Sequence, residues 1–171
     1  LLDEEGNIDY KTLNEFLKKY SHDNFFIFGF TSLVFENLIQ KLSTKLICSN
    51  FQNGILLHGG GWKKLENLKI NNKVFKNELY KKLGLNKIYN YYGLVEQTGS
   101  IFVECEYGYL HCSNFSDVTI RRKNFSICNK NEIGLVQLTS ILPFSYPGHV
   151  ILTEDLGAIA GVDNCKCGRF G

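Results

Sequence analysis

An α/β fold, with a mostly parallel sheet and flanking helices in the first half and a β-rich antiparallel second half, is predicted by three observations. Up to about residue 92, short apolar runs alternate with stretches whose apolar residues recur at helical spacing. Beyond Gly99 the apolar runs continue with no helical stretch between them. The 171 residues are 44% hydrophobic, and a chain of this length can bury roughly 70% of the surface its unfolded form exposes, which excludes global disorder.

The elements follow in order. Leu13, Phe16, Leu17 and Tyr20 recur at helical spacing from Tyr10, and the continuous aromatic run Asn24 to Phe30 reads as a buried strand. Thr31 offers a cap to a second helix through Leu42, with Val34, Leu38 and Ile39 on one side. Two short apolar runs, Lys45 to Cys48 and Gly54 to His58, are separated by the polar Ser49 to Asn53. Asn72 to Leu83 is a third helix, stopped at Gly84 by a residue that accepts the left-handed conformation, and Lys87 to Tyr92 is the next strand. The second half supplies Ile101 to Glu106, Val118 to Arg122, Gly134 to Thr139 and His149 to Thr153 as antiparallel strands. The expected division is an α/β part, 1–99, and a β-rich part, 100–171, joined near residues 93 to 100.

Charge and composition narrow the function. Nineteen Lys and Arg against 17 Asp and Glu leave a net charge of +2, and the three arginines, Arg121, Arg122 and Arg169, are too few to read phosphate or guanine by bidentate contacts. No nucleic acid partner is expected. No apolar run approaches the roughly 18 to 20 residues of a membrane span, and Leu1 to Asp9 lack a basic start and a cleavage site. The expected location is cytoplasmic, where six cysteines read as thiols or metal ligands rather than disulfides. The sequence contains no Met, which predicts a piece of a longer chain.

Two loops carry candidate chemistry. Gly59-Gly60-Gly61 follows the strand Gly54 to His58, and glycines there let a ligand approach the backbone; the alternative is a tight turn leading into Trp62. The loop Tyr91 to Ser100 follows the next strand. In a parallel sheet both lie at carboxyl ends of strands, where open α/β sheets bind ligands. Tyr92, Gly93 and Glu96 could stack a base, admit a phosphate and hold magnesium through one oxygen, while the bland reading of Glu96 is a solvated carboxylate.

Tyr92-Gly93-Leu94-Val95-Glu96 resembles the Tyr-Gly-x-Thr-Glu signature of the adenylate-forming superfamily of acyl-CoA synthetases, nonribosomal peptide adenylation domains and luciferases. With His58 through Lys64, Tyr92 through Ser100, Ser145 through His149, Thr153-Glu154-Asp155-Leu156-Gly157 and Cys167-Gly168-Arg169, the chain is similar to the bacterial acyl-protein synthetase (LuxE-type) family. The resemblance implies part of the large domain of an adenylate-forming enzyme. Gly59, Gly60 and Gly61 would wall the adenine, Tyr92 would stack on it with Gly93 beside it, and Asp155 would accept the ribose hydroxyls. Glu96 would place Mg²⁺ on the ATP phosphates. Val95 stands where the superfamily has a Thr that reaches the α-phosphate, so Thr98 or Gln97 would substitute, and Glu96 with Thr98 form the implied catalytic pair.

The implied reaction is ATP-dependent activation of a long-chain fatty acid and its transfer to a protein cysteine thiol, with an acyl reductase as partner. The superfamily's phosphate loop is not found in Leu1 to Asn53, and the chain stops at Gly171 before the expected hinge and mobile C-terminal domain. The fragment alone is therefore expected to be inactive. Alternatives are a phenylacetate-type acyl- or aryl-CoA ligase and a zinc-stabilised, non-catalytic docking module.

Cys105-x5-His111 and Cys165-x-Cys167 offer three thiolates and an imidazole, a set that suits a closed tetrahedral structural zinc site although the spacing is not that of a standard finger. Related phenylacetate-CoA ligase-like enzymes resemble this arrangement and can carry zinc there. Cys112 could replace one ligand; Cys48 reads as a buried apolar residue and Cys128 as a loop thiol. His22 reads as a solvated loop residue, and His58 and His149 as residues that orient backbone, His149 with an alternative place in the acyl site. Lys63 and Lys64 read as a solvated face or as attractors of phosphate or carboxylate. Phe25 to Phe30 and Leu142 to Tyr146 read as core or as acyl-chain walls.

Overall fold

The computed structural model describes residues 2–42, 51–61, 67–68 and 70–171. The expected strand Lys45 to Cys48, the role of Cys48 and the segment Trp62-Lys63-Lys64 lie outside the described residues. The chain divides into two compact units, Leu1–Asn90 and Tyr91–Gly171.

In the first unit, helix α1 (Tyr10–Tyr20) starts at Asp9, whose carboxylate accepts from the Thr12 N–H at 3.0 Å. That bond satisfies one of the donors a helix leaves open at its start. Leu13 and Leu17, one turn apart, are its buried stripe. Strand β1 (Phe25–Phe30) leads into α2 (Thr31–Val34), which continues as a π-helical segment Phe35–Lys41. Strand β2 (Gly54–Gly59) pairs parallel with β1 from Phe25↔Gly54 to Phe30↔Gly59. Helix α3 (Asn72–Leu83) is capped by Asn71, which accepts from the Val74 N–H at 3.0 Å, and ends at Gly84, where φ is 69°. Phe75, Leu79 and Leu83 recur every four residues on its buried side. Strand β3 (Lys87–Gly93) lies next to β2, in the order β1-β2-β3, and runs through the boundary between the units. Leu13, Leu17, Ile27, Leu38, Leu56, Phe75, Leu79, Leu83 and Ile88 share one core.

Two expectations change here. The run Phe25 to Phe30 is not a fully buried strand: Ile27 faces the core, while Phe26, Phe28 and Phe30 are 61%, 60% and 57% exposed. Strand geometry sends alternate side chains to opposite faces, and the second face leaves these three rings more than half exposed. Thr31 does not cap its helix, because Phe30 occupies that position. The Thr31 hydroxyl is instead buried, donating to the Gly59 carbonyl at 3.1 Å and meeting Nδ1 of His58 at 2.9 Å.

In the second unit the last residues of β3 pair antiparallel with β4 (Ile101–Glu104), and β4 with β5 (Leu110–His111). A three-stranded antiparallel sheet follows, β6 (Ser116–Arg121), β7 (Gly134–Ser140) and β8 (Val150–Gly157), in that order. Phe102, Ile120, Val136 and Leu138 are its buried core, with Tyr92, Leu94, Val118 and Ile159 packed around them. The predicted change from α/β to antiparallel β is thus observed. No helix among the described residues is long and apolar enough to cross a membrane.

Candidate functional site

The polar centre of the second unit is built by an irregularity in the β7–β8 ladder. Leu135 pairs with Leu156 and Gln137 with Leu152, so the single residue Val136 stands opposite Thr153, Glu154 and Asp155. Such a bulge re-aims side chains out of the regular alternation. Thr153 stabilises it from within: its hydroxyl donates to the Val136 carbonyl at 2.9 Å and accepts from the Asp155 N–H at 3.1 Å. Asp155 then receives a hydrogen bond from the Tyr92 hydroxyl, 2.7 Å from Oδ2. Burial first, and the Asp155 carboxylate second, push the Tyr92 phenol up to about 12, so it stays a donor at neutral pH.

The pair lines a cavity of about 700 Å³ whose other walls include Phe102, Ile120, Leu138 and Ile159. That volume and mixed lining match a small-molecule pocket. Tyr92 and Gly93 end β3, and the turn Val95–Gln97 follows, with Glu96 and Thr98 exposed. The Thr98 hydroxyl donates to the Val95 carbonyl at 3.1 Å and closes this turn. Gln97, read from sequence as a substitute phosphate contact, is buried, and its Nε2 donates to the Gly148 carbonyl at 2.8 Å.

Gly59, Gly60 and Gly61 belong to the first unit, at the carboxyl end of β2. Gly60 has φ 85°, which favours glycine, and a Cβ there would crowd the Phe30 ring at 3.1 Å.

Cys105, His111, Cys165 and Cys167 come together with all their ligand atoms within 4.8 Å of one another. Two tight turns present them. The Gly108 N–H donates to the Cys105 carbonyl at 2.9 Å and the Gly168 N–H to the Cys165 carbonyl at 3.1 Å, with φ of 84° and 78° at the two glycines. A glycine three residues after each first cysteine is the sequence signal for this geometry. Sγ of Cys105 and Cys165 are 3.8 Å apart, and Sγ of Cys167 is 3.4 Å from Nε2 of His111. Two sulfurs held at zinc bond length from a tetrahedral centre are about 3.8 Å apart, and a sulfur and an imidazole nitrogen about 3.5 Å.

Charge agrees with the distances. Burial opposes ionisation of Cys105, but hydrogen bonds from the Tyr109 and Tyr107 backbone and from His111 and Cys165 bring its thiol down to about 6. Burial and the neighbouring Cys165 and Cys105 sulfurs push Cys167 up, despite a backbone hydrogen bond from Arg169. Like charges resist a second thiolate unless a cation joins them. Cys112 lies outside the cluster, packed against the apolar core, its thiol pushed up to about 11 by burial and then by Asp117.

The sequence model of the family described as acyl-protein synthetase, LuxE, matches residues 2–171. The chain belongs to the LuxE acyl-protein synthetase family. No curated protein matches it at a significant level. Among solved structures, it is similar to an ATP-bound chimera of RpMatB and BxBclM, with a TM-score of 0.65 at 13% identity over 94% of this chain and 32% of that one. ATP-bound MatB from Rhodopseudomonas palustris gives 0.61 at 12% over 94% and 32%. The amide bond synthetase McbA from Marinactinospora thermotolerans gives 0.62 at 12% over 95% and 34%. This LuxE-family chain shares the fold of a region of these neighbours and spans about a third of their length.

Proposed function

We propose that this chain serves ATP-dependent activation of a carboxylic acid as an acyl-adenylate, with transfer of the acyl group to a protein cysteine thiol. The observation that carries the reading is the Tyr92–Asp155 pair, a carboxylate set by a bulge and a tyrosine at a strand's carboxyl end, on the wall of a cavity. Asp155 keeps lone pairs for ribose hydroxyls beyond the one Tyr92 occupies, since a carboxylate offers about four acceptor sites. Tyr92 offers its ring to the adenine, and Gly93, exposed at the end of β3, leaves backbone open beside the nucleotide. Glu96, exposed on its turn, is the carboxylate for Mg²⁺, with Thr98 beside it. A carboxylate oxygen of the acid attacks the α-phosphorus and the bond to pyrophosphate breaks. The thiol sulfur then attacks the acyl carbonyl, AMP leaves, and the thiol proton passes to solvent. Family membership supports a long-chain fatty acid and a protein thiol, with an acyl reductase as the onward partner.

The Cys105, His111, Cys165 and Cys167 set fits a structural zinc by donor type, spacing and charge. Four protein ligands leave no open position, so the metal would hold the β4–β5 turn to the 165–168 turn and take no part in the chemistry.

The test uses the full-length protein with ATP, labelled pyrophosphate and a series of fatty and aromatic acids. Acid-dependent exchange that Asp155→Ala abolishes is expected, together with an intact-protein mass increase equal to one acyl group that hydroxylamine removes. Undiminished exchange in Asp155→Ala would sink the ribose assignment. Acyl transfer only to added coenzyme A would select a CoA ligase, and absence of exchange with every acid would select a docking module.

A further inference from the structure

The turn Val95–Gln97 passes from exposed to buried. Val95 is 89% exposed, Glu96 is exposed, and Gln97 is 0% exposed. The buried amide donates from Nε2 to the Gly148 carbonyl at 2.8 Å and to the His149 carbonyl at 3.4 Å. This arrangement has one sense, because reversing the amide would set its oxygen against two carbonyl oxygens. The loop it reaches is itself anchored, since the His149 carbonyl also accepts from the Ser140 N–H at 2.8 Å, at the end of β7. One residue on, the Thr98 N–H donates to the Tyr146 hydroxyl at 3.3 Å. Among the described residues, Oε1 of Gln97 and the Ser100 hydroxyl are buried without a hydrogen-bond partner. The amide is therefore held from its donor end alone, and a side chain of similar shape without donors would cut the tie and leave the space filled.

We propose that Gln97 is a positioning residue for adenylation: by tying its turn to the Gly148–His149 carbonyls it fixes the direction in which Glu96 and Thr98 face the magnesium–nucleotide, with the Tyr146 hydroxyl as a second tie. The assignment rests on the adenylation reading and goes beyond it, since Gln97 itself touches neither nucleotide nor acid.

Full-length wild type, Gln97→Leu and Tyr146→Phe are compared in acid-dependent ATP–pyrophosphate exchange, with free Mg²⁺ and the fatty acid varied separately. Gln97→Leu should lower kcat by about tenfold to a hundredfold, the range expected when buried carbonyls lose their donor. Its half-saturating Mg²⁺ should rise severalfold while KM for the acid stays within about twofold, a split that general loosening of the fold would not produce. Tyr146→Phe, altered at one exposed hydroxyl, should move the same two quantities by a smaller factor in the same directions. Wild-type Mg²⁺ dependence in a folded Gln97→Leu protein overturns the assignment. If Gln97→Leu does not fold, an unshifted Mg²⁺ dependence in Tyr146→Phe overturns it. Absence of exchange in the wild type overturns the adenylation reading and the assignment with it.

Discussion

The two units are held together by different means. In the first, at least fourteen apolar side chains share one core, drawn from α1, β1, α2, the π-helical segment, β2, α3, β3 and the connections between them. In the second, four buried apolar residues form the core, and order comes as much from specific polar ties: the Thr153 hydroxyl inside the bulge, the Tyr92–Asp155 bond, the Gln97 amide and the Cys/His cluster. Apolar burial is non-directional and tolerates approximate shapes, whereas hydrogen bonds and metal ligands fix angles. The candidate chemistry of the second unit sits where directionality dominates.

The sharpest way to break the contrast is at the cluster. Cys105→Ser should lower bound zinc and destabilise the second unit on the order of several kcal/mol, given how strongly structural zinc couples to folding. Metal analysis and amide hydrogen exchange would show lost protection at β6 to β8. Wild-type protein that carries no metal and keeps that protection would defeat the idea. In the first unit, Phe75→Ala deletes a fully buried ring and should cost about 3 to 5 kcal/mol in urea unfolding; a cost near zero would mean this core is not what holds the unit.

Tyr92 tests the polar side through pH. Its folded value of about 12 lies above the ordinary phenol value of 10.0. Between the two, the unfolded chain releases a proton that the folded chain keeps. The contribution is therefore complete below the lower value and is lost as pH rises through the upper one. Ultraviolet titration should find one of the nine tyrosines ionising late, and Tyr92→Phe should flatten that part of the stability curve. The smallest effect is local: Asn71→Ala removes the α3 cap and should cost about 1 kcal/mol, read by thermal unfolding.

Legibility in the sequence divides along the same line. Leu13 with Leu17, and Phe75 with Leu79 and Leu83, announce their helices because a buried stripe leaves a periodic trace, and Gly84 marks a stop because only its backbone suits the turn. The exposure of Phe28 and the π-helical stretch after Val34 leave no such trace, since both depend on what packs alongside. Cys105, His111, Cys165 and Cys167 were identifiable by residue type, yet Cys105 and Cys165 are 60 residues apart and only folding brings their sulfurs to 3.8 Å. Gln97 reads from sequence as a substitute phosphate contact, because nothing in a glutamine's neighbours along the chain says that its amide will be buried against carbonyls 51 and 52 residues later.

The β8 bulge has a consequence for how this site can change over time. Three residues, Thr153 to Asp155, stand where a regular ladder would have one, so Asp155 reaches Tyr92 by virtue of a residue count. Removing a single residue from that stretch would carry the side chains after it to the opposite face of the strand. Point substitutions at Glu154, which is exposed, should be absorbed readily, while a one-codon deletion beside it should be as damaging as loss of Asp155 itself. Drift in this stretch is then free in composition and constrained in length.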